Sequence, residues 1–220
     1  MRSLAIFDID GTLHKTEIMS AAAFSEIMPE LGLPVPSLDT LKKTYGLGTQ
    51  AIYRLLQIPK DLIPRWEQLF FSYESRHISL CATAYEGAIE ALHTLHDSGV
   101  ALALCSMCPQ GYMDAIIDRF GIGDLIDYAR NETHSQDKGE LVRQLLEQSS
   151  ASAAVMVGDR SFDIEAADIN GIASVGCLYG YGPDEAAKAT LTVSTAWQIP
   201  DVVMQLLRQQ SALKENSAQL

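Results

Sequence analysis

The chain has 220 residues, 47% hydrophobic and 20% charged, which is typical of a globular protein with one large or two small domains and excludes wholesale disorder or a collagen-like fibre. It carries 16 Lys and Arg residues against 28 Asp and Glu residues, for a net charge of −12, so we expect neither a nucleic-acid-binding surface nor a surface for anionic membranes. No apolar run approaches the about 20 residues that cross a bilayer, and acids interrupt the first run, so we expect a cytoplasmic protein without a signal peptide.

The first predicted element is a buried strand, Leu4–Phe7. It stops at two carboxylates and a glycine, which indicates a strand that delivers polar groups at its carboxyl end. Residues 16–82 then have a helical pattern with no good strand, and prolines punctuate it. The helical stretches in this part are Glu17–Leu31, Thr49–Leu56 and Leu62–Leu80.

From about residue 84 onward, strands and helices alternate. The predicted helices are Ala88–Asp97, Gln110–Phe120, Lys138–Glu147, Phe162–Asn170 and Asp201–Gln209. The predicted strands are Val100–Cys105, Leu125–Ala129, Ala153–Val157, Ile172–Val175 and Leu191–Val193. We expect the tail after Gln210 to be frayed.

This alternation predicts an α/β fold, a Rossmann-like parallel sheet with helices on both faces and a helical cap inserted after the first strand. We assign residues 1–15 and 83–220 to a catalytic α/β core domain, and residues 16–82 to a helical cap domain.

Polar residues gather where the predicted strands end, and ligands of open parallel sheets bind at that edge. These residues are Asp8, Asp10, Ser106, Asp159 and Asp163, with Lys138 at the start of a helix. Any single acid is equally well explained as a turn or helix cap, but caps need not gather at successive strand ends. Clustered carboxylates repel unless a cation is present, and Mg²⁺ is the usual choice where phosphate is also bound. The hydroxyl and the lysine are suited to phosphate oxygens.

These residues resemble the four motifs of the haloacid dehalogenase-like hydrolase superfamily. The motifs read Asp8-Ile9-Asp10-Gly11-Thr12-Leu13, Ser106, Lys138, and Gly158-Asp159-Arg160-Ser161-Phe162-Asp163. They occur in the family's order over nearly the whole chain, and the helical insert lies where the family places its cap. Within the superfamily, Val157–Gly182 is most similar to the phosphoglycolate phosphatase-like branch.

The resemblance implies a Mg²⁺-dependent phosphatase that works through an aspartyl-phosphate on Asp8, with Asp10 as general acid and then base. It also implies that Mg²⁺ is held by the Asp8 carboxylate, the Asp10 backbone carbonyl and Asp159, with Asp163 in support. In the same family, the serine and the lysine that correspond to Ser106 and Lys138 bind the phosphoryl group. Because displacement of a halide needs no proton, the acid at Asp10 favours phosphate esters over haloacids.

The cap offers candidate substrate contacts. Residues 44–50 form a glycine-bearing loop that opens a helix, so Gly48 and Thr49 have backbone N–H groups for an anion, although an ordinary interhelical turn explains the loop equally well. Arg54 is a further candidate, with a solvated helix face as its alternative. We expect the substrate to be a small phosphorylated metabolite (phosphoglycolate-like, a sugar phosphate or a nucleotide) and the protein to be a monomer or homodimer.

Two other functions remain open from the sequence. A phosphomutase similar to β-phosphoglucomutase shares every motif. A thiol redox protein would use Cys105 and Cys108, a C-x-x-C between a strand and a helix, although Cys105 at the end of an apolar strand is more simply a packed hydrophobic residue.

The chain departs from the family at His14, where related proteins often have an acid, and Asp137 is placed to compete with Asp8 for Lys138.

Overall fold

The computed structural model describes residues 3–217, and six strands and ten helices lie within this range. The strands are β1 (Ser3–Phe7), β2 (Ala101–Ser106), β3 (Tyr128–Asn131), β4 (Ala153–Gly158), β5 (Ala173–Cys177) and β6 (Leu191–Val193). The helices are α1 (Thr16–Glu30), α2 (Leu38–Lys42), α3 (Thr49–Leu55), α4 (Ile63–Cys81), α5 (Ala88–Asp97), α6 (Gln110–Phe120), α7 (Lys138–Ser149), α8 (Ser161–Ile169), α9 (Pro183–Ala186) and α10 (Ile199–Ser217).

The strands form one sheet in the order β3-β2-β1-β4-β5-β6, and every neighbouring pair is parallel. Phe7, the last residue of β1, pairs with Leu104 on one side and Val157 on the other. The carboxyl ends of β1, β2 and β4 therefore lie side by side. This register brings the polar residues that follow those three strands to one place.

Helices cover both faces of the sheet, as predicted. Ala5 and Phe7 of β1 pack on one side with apolar residues of α5, α6 and α10. Leu4 and Ile6 pack on the other side with residues of α7 and α8. Because alternate side chains of a strand point to opposite faces, β1 is buried on both sides, which explains its continuous apolar sequence.

The four helices α1–α4 lie between β1 and α5 and share a third apolar cluster. Its centre is Trp66, which stacks on Phe70 with ring centroids 4.3 Å apart and meets Tyr53 edge-on at 5.1 Å. The predicted helical insert after the first strand is thus present. The division into a core domain and a cap domain stays a prediction.

Several elements differ from the prediction. The short helices α2 and α9 were not predicted. β3 begins three residues late because Gly123–Leu125 form a 3₁₀ turn. The expected fraying after Gln210 is wrong as far as Ser217, because α10 continues to that residue through a segment with no Gly or Pro, and residues 218–220 lie outside the described residues. Among the described residues, none of the helices combines the length and the apolar character needed to span a membrane.

Candidate active site

The turn after β1 presents two carboxylates. The Asp8 amide donates to the Val157 carbonyl at 2.9 Å, so the ladder with β4 extends to Asp8 before the chain turns away. Gly11 follows with φ +83°, and a Cβ at this position would lie 2.3 Å from Oδ2 of Asp159. Only glycine meets both the left-handed backbone and the close approach, so this turn brings the loops after β1 and β4 together.

Lys138 joins two of the predicted acids. Its Nζ lies 2.6 Å from Oδ1 of Asp8 and 2.5 Å from Oδ1 of Asp163, and all three side chains are buried. Burial alone would lower the pKa of Lys138, but the two carboxylates outweigh it and hold that pKa well above its usual range. The expected competition from Asp137 is absent, because its carboxylate caps α7 and accepts from the amide of Gly139 at 2.8 Å.

Three carboxyls form a compact oxygen-donor group. Asp8, Asp159 and Asp163 each offer an oxygen within 4.8 Å of the others. Oδ2 of Asp8 and Oδ1 of Asp159 are buried without a hydrogen-bond partner among the described residues. Burial raises the pKa of Asp8 to about 7 and that of Asp159 well above its usual range, and the neighbouring acids add to both.

One lysine does not offset three carboxylates, so a divalent cation is the natural counter-charge, and an all-oxygen set fits Mg²⁺. The Asp10 carboxyl is outside this group, and its predicted role as a carbonyl ligand stays a prediction.

Asp10 has its own set of polar neighbours. Its Oδ1 accepts hydrogen bonds from the hydroxyls of Thr16 (2.6 Å) and Tyr112, and Nδ1 of His14 lies 3.6 Å away. Burial acts to raise the pKa of Asp10, but these groups outweigh it and lower that pKa below its usual value. His14 is fully buried rather than at the edge of the site, and its Nδ1 also lies 2.9 Å from the Tyr112 hydroxyl.

Sequence reasoning missed Thr16 and Tyr112. Thr16 had a signal, since it is a hydroxyl residue at the predicted start of the insert. Tyr112 is 102 residues from Asp10 in the chain and arrives only through packing of α6.

Ser106, at the end of β2, carries an unused hydroxyl. Its Oγ is buried without an oxygen or nitrogen partner among the described residues. The thiol of Cys108, a weak hydrogen-bonding group, lies beside it. This arrangement leaves a hydroxyl next to Asp8 free to donate to a ligand.

Two of the three predicted cap contacts, Gly48 and Thr49, lie against Glu132, and the third, Arg54, shares a cavity with Gly48. The Thr49 amide donates to Oε2 of Glu132 at 3.0 Å, and the Thr49 hydroxyl donates to the same carboxylate. Gly48 lies against Glu132 as well, since a Cβ there would be 3.5 Å from Oε2. Arg54 is exposed and lines a cavity of about 280 Å³ together with Gly48 and Lys138. In this conformation, the amide expected to bind a substrate anion is bound to a carboxylate of the protein.

A second cavity, of about 400 Å³, lies between the helical insert and the turn that bears Asp10. Its carboxyl-bearing lining residues are Asp10, Glu67, Glu74 and Glu132. Its aromatic lining residues are Phe24, Tyr45, Tyr53, Trp66, Phe70, Phe71 and Tyr112. The sequence showed these aromatic residues only as part of helical stretches or, for Tyr45, of the glycine-bearing loop.

The two cysteines of the redox alternative are free and buried. Burial raises the pKa of the Cys105 thiol to about 12 and that of the Cys108 thiol well above its usual range. Thiol oxidoreductases need a thiolate near neutral pH, so this environment opposes a redox role.

Comparisons with known proteins agree with the motifs. The sequence model of the haloacid dehalogenase-like hydrolases matches residues 5–177. The chain is 28% identical over 201 residues to a phosphoglycolate phosphatase of Vibrio parahaemolyticus, covering 85% of this chain and 88% of that protein. It is 27% identical over 206 residues to one of Pseudomonas putida, covering 86% of this chain and 75% of that protein.

Among solved structures, a haloacid dehalogenase-like hydrolase of Streptococcus pneumoniae superposes with a TM-score of 0.81. It has 21% identity and covers 91% of this chain and 98% of its own. At that identity, the likeness concerns the fold alone.

Proposed function

The chain belongs to the haloacid dehalogenase-like hydrolase family and is a phosphatase, and on that premise we propose that it hydrolyses a small phosphomonoester with Mg²⁺ through an aspartyl-phosphate on Asp8. One observation carries the proposal. Asp8 Oδ1 is bound by Lys138 at 2.6 Å, while its buried Oδ2 has no partner and lies in a group of three acids. Such a carboxylate is held in one orientation and keeps one oxygen free to attack.

In the first half-reaction, a carboxylate oxygen of Asp8 attacks phosphorus. The Asp8 oxygen–phosphorus bond forms as the ester phosphorus–oxygen bond breaks, and Asp10 donates a proton to the leaving alcohol oxygen. Because its neighbours hold the Asp10 pKa below the usual value in the free protein, Asp10 takes up this proton when the negative charge of the phosphate ester binds beside it. Lys138 and Ser106 donate to the phosphoryl oxygens as charge develops on them. Asp163, 2.5 Å from Lys138 Nζ, positions the lysine for this contact.

In the second half-reaction, water attacks the phosphorus of the aspartyl-phosphate. Asp10, now a carboxylate, takes a proton from that water, the bond to Asp8 breaks, and inorganic phosphate leaves. Asp10 is then protonated again, so the cycle closes. When bound by Asp8, Asp159 and the Asp10 carbonyl, with Asp163 in support, Mg²⁺ supplies positive charge to the phosphoryl oxygens and to the clustered carboxylates.

The proposed substrate class is the small phosphomonoesters: phosphoglycolate, on which the named relatives act, sugar phosphates or nucleotides. Contact of the substrate with Gly48, Thr49 or Arg54 belongs to this proposal and requires Glu132 to release the Thr49 amide. The four free cysteines fit a reducing cytoplasm, and we propose a monomer or homodimer.

The test is phosphate release from p-nitrophenyl phosphate, phosphoglycolate, a sugar phosphate and a nucleoside monophosphate, with Mg²⁺ and with EDTA. We expect Mg²⁺-dependent release that falls by at least about a thousandfold in Asp8→Asn, because the attacking group is lost. The matched control is Asp168→Asn, an exposed change on α8, which should keep full activity. Undiminished hydrolysis by Asp8→Asn would contradict the mechanism.

A further inference from the structure

The position of Asp10 indicates which cavity holds the alcohol part of the ester, which departs when the phosphoryl group is transferred. Asp10 lines the 400 Å³ cavity, whereas Lys138 and Arg54 line the neighbouring 280 Å³ cavity. Asp10 is proposed to protonate the leaving oxygen, so the alcohol part of the ester must start in the cavity that Asp10 lines. The lining of the 400 Å³ cavity therefore determines which alcohols are accepted.

Seven of the 22 residues that line this cavity are aromatic. Trp66 and Phe70 are stacked, with ring planes 13° apart, and Phe24 packs edge-on against Phe70 at 5.6 Å. Trp66 is 1% exposed, and its Nε1–H has no partner among the described residues. Aromatic side chains that line a cavity favour an apolar or cationic group over a hydrated anion.

The charge of the cavity has one sign. Four of its lining residues bear carboxyls, and none is Lys, Arg or His. Glu67 accepts from the Tyr53 hydroxyl at 2.7 Å, and Glu132 accepts from Thr49, so these two carboxyls have partners.

Glu74 is different. Its residue is 7% exposed, and within the described part of the chain its carboxyl has no hydrogen bond and no ion pair. Burial, with Asp10 and Glu132 nearby, raises the pKa of Glu74 well above its usual range. A buried carboxyl without a partner is costly and is normally retained for a ligand or a proton.

We propose that this cavity binds a cationic alcohol group, so that the preferred substrates are phosphomonoesters of amino or quaternary-ammonium alcohols. The cation replaces the proton of the Glu74 carboxyl, pairs with the resulting carboxylate, and contacts the aromatic side chains that line the cavity. This inference rests on the proposed function and names its substrate class. An acidic alcohol such as glycolate would place its carboxylate among four carboxyls with no cation.

The test compares two esters of nearly the same shape. Phosphocholine carries a quaternary nitrogen where 3,3-dimethylbutyl phosphate carries an uncharged carbon. We expect kcat/KM to be at least about tenfold higher for phosphocholine, the size of a desolvated cation–π and ion-pair contribution. Glu74→Gln should lower the ratio of the two values several-fold, to the part that the aromatic lining supplies, whereas the exposed control Glu90→Gln on α5 should keep the wild-type ratio.

A binding measurement supplies a readout that needs no turnover. The chain has two tryptophans, so in a Trp197→Phe background the fluorescence reports Trp66 alone. Choline should change this fluorescence saturably, and its dissociation constant should be at least about tenfold lower than that of 3,3-dimethylbutan-1-ol. Adding Glu74→Gln should reduce this difference in dissociation constant several-fold.

The outcomes separate the two proposals. Asp8-dependent hydrolysis of p-nitrophenyl phosphate without a preference for phosphocholine would overturn the cationic-alcohol inference and leave the proposed function standing. A preference that Glu74→Gln does not change would overturn it too. If wild type hydrolyses no ester, the proposed function fails, and choline binding still decides whether the cavity selects cations.

Discussion

Ser106 and Ser149 are both buried serines, and they differ in their hydrogen bonds. Ser149 Oγ donates to the Leu146 carbonyl at 3.2 Å and accepts from the Ala151 amide at 3.3 Å, whereas Ser106 Oγ has no oxygen or nitrogen partner among the described residues. An unsatisfied buried hydroxyl costs about 1–3 kcal/mol of stability, and a satisfied one contributes about 1 kcal/mol. A buried hydroxyl that lowers the stability of the protein in this way is available to donate to a ligand.

We therefore expect Ser106→Ala to lower kcat/KM about tenfold, because a donor to the phosphoryl group is lost, while the free energy of unfolding stays the same or rises. Ser149→Ala is the matched control and should lose about 1 kcal/mol of stability with no change in kcat/KM. Urea denaturation and steady-state kinetics measure both quantities. If Ser106→Ala lost as much stability as Ser149→Ala, the Ser106 hydroxyl would have to make a stabilising hydrogen bond in the folded protein, which is contrary to this prediction.

Glu74 predicts a pH dependence of stability. Its pKa in the folded protein is raised, first by burial and then by Asp10 and Glu132, so the folded state holds this proton more tightly than the unfolded state. The associated stability is fully present below the unfolded pKa, about 4.3 for Glu, and is lost as the pH rises through the folded pKa.

Glu74→Gln should therefore melt above wild type at pH 8, by about 2–4 °C for each kcal/mol regained, and the gap should close near pH 4. Thermal melts of wild type, Glu74→Gln and the exposed control Glu90→Gln between these pH values measure the gap. A difference in Tm that is the same at every pH would show that packing, and not the ionisation of Glu74, causes it.

At the scale of elements, the contact between α3 and the loop after β3 links the helical insert to the sheet. The Glu132 carboxylate binds the amide and the hydroxyl of Thr49, the first residue of α3. A carboxylate at this position satisfies a free helix N–H and also complements the positive end of the helix. This seven-residue helix is too short to be stable alone, so it depends on such contacts.

Glu132→Ala should raise the hydrogen-exchange rates of the α3 amides by about 5–30-fold, the equivalent of losing about 1–2 kcal/mol of capping. Amides of β1 and β4 should exchange at wild-type rates. Glu147→Ala, at an exposed acid of α7, serves as the control. Unchanged exchange in α3 would show that packing of the insert, and not this carboxylate, holds the helix.

The elements also show what the sequence can and cannot predict. The long helices and the buried strands were predicted because their apolar spacing extends over enough residues to be distinctive. α2 and α9 have five and four residues, too few for a helical period to be recognised. β3 was predicted too early because its position depends on the 3₁₀ turn before it and on pairing with β2, and both are tertiary effects.

At the scale of the whole molecule, one part of the site could be predicted from the sequence and another part could not. The sequence placed Asp8, Asp159 and Ser106 together, because each follows a strand and parallel strands end at one edge. It did not place Glu74 or Tyr112, because these side chains lie on helices whose approach to Asp10 is decided by packing. The proposed reacting groups can therefore be predicted from the topology, whereas the cavity proposed to select the substrate is recognised only in the folded structure.

The group of three acids predicts that the stability of the whole molecule depends on metal. Asp8, Asp159 and Asp163 lie within 4.8 Å of one another at their oxygens, and burial with mutual repulsion raises the pKa of Asp159 well above its usual range. A cation bound only by the folded state stabilises it by about 2.7 kcal/mol at a hundred times its dissociation constant. For a chain of this size, that corresponds to a rise in Tm of about 5–10 °C.

We expect saturating Mg²⁺ to raise the Tm of wild type by this amount and EDTA to reverse the rise. In Asp159→Asn, the rise should disappear, and the metal-free Tm should be at or above that of wild type, because a repelling carboxylate has been removed from the cluster. Asp168→Asn, an exposed change on α8, should respond to Mg²⁺ as wild type does. If Mg²⁺ raises the Tm of wild type and of Asp159→Asn by the same amount, the ion binds elsewhere on this acidic chain. If the rise is lost in Asp159→Asn alone, the stability of the whole fold depends on an ion held at the carboxyl ends of its central strands.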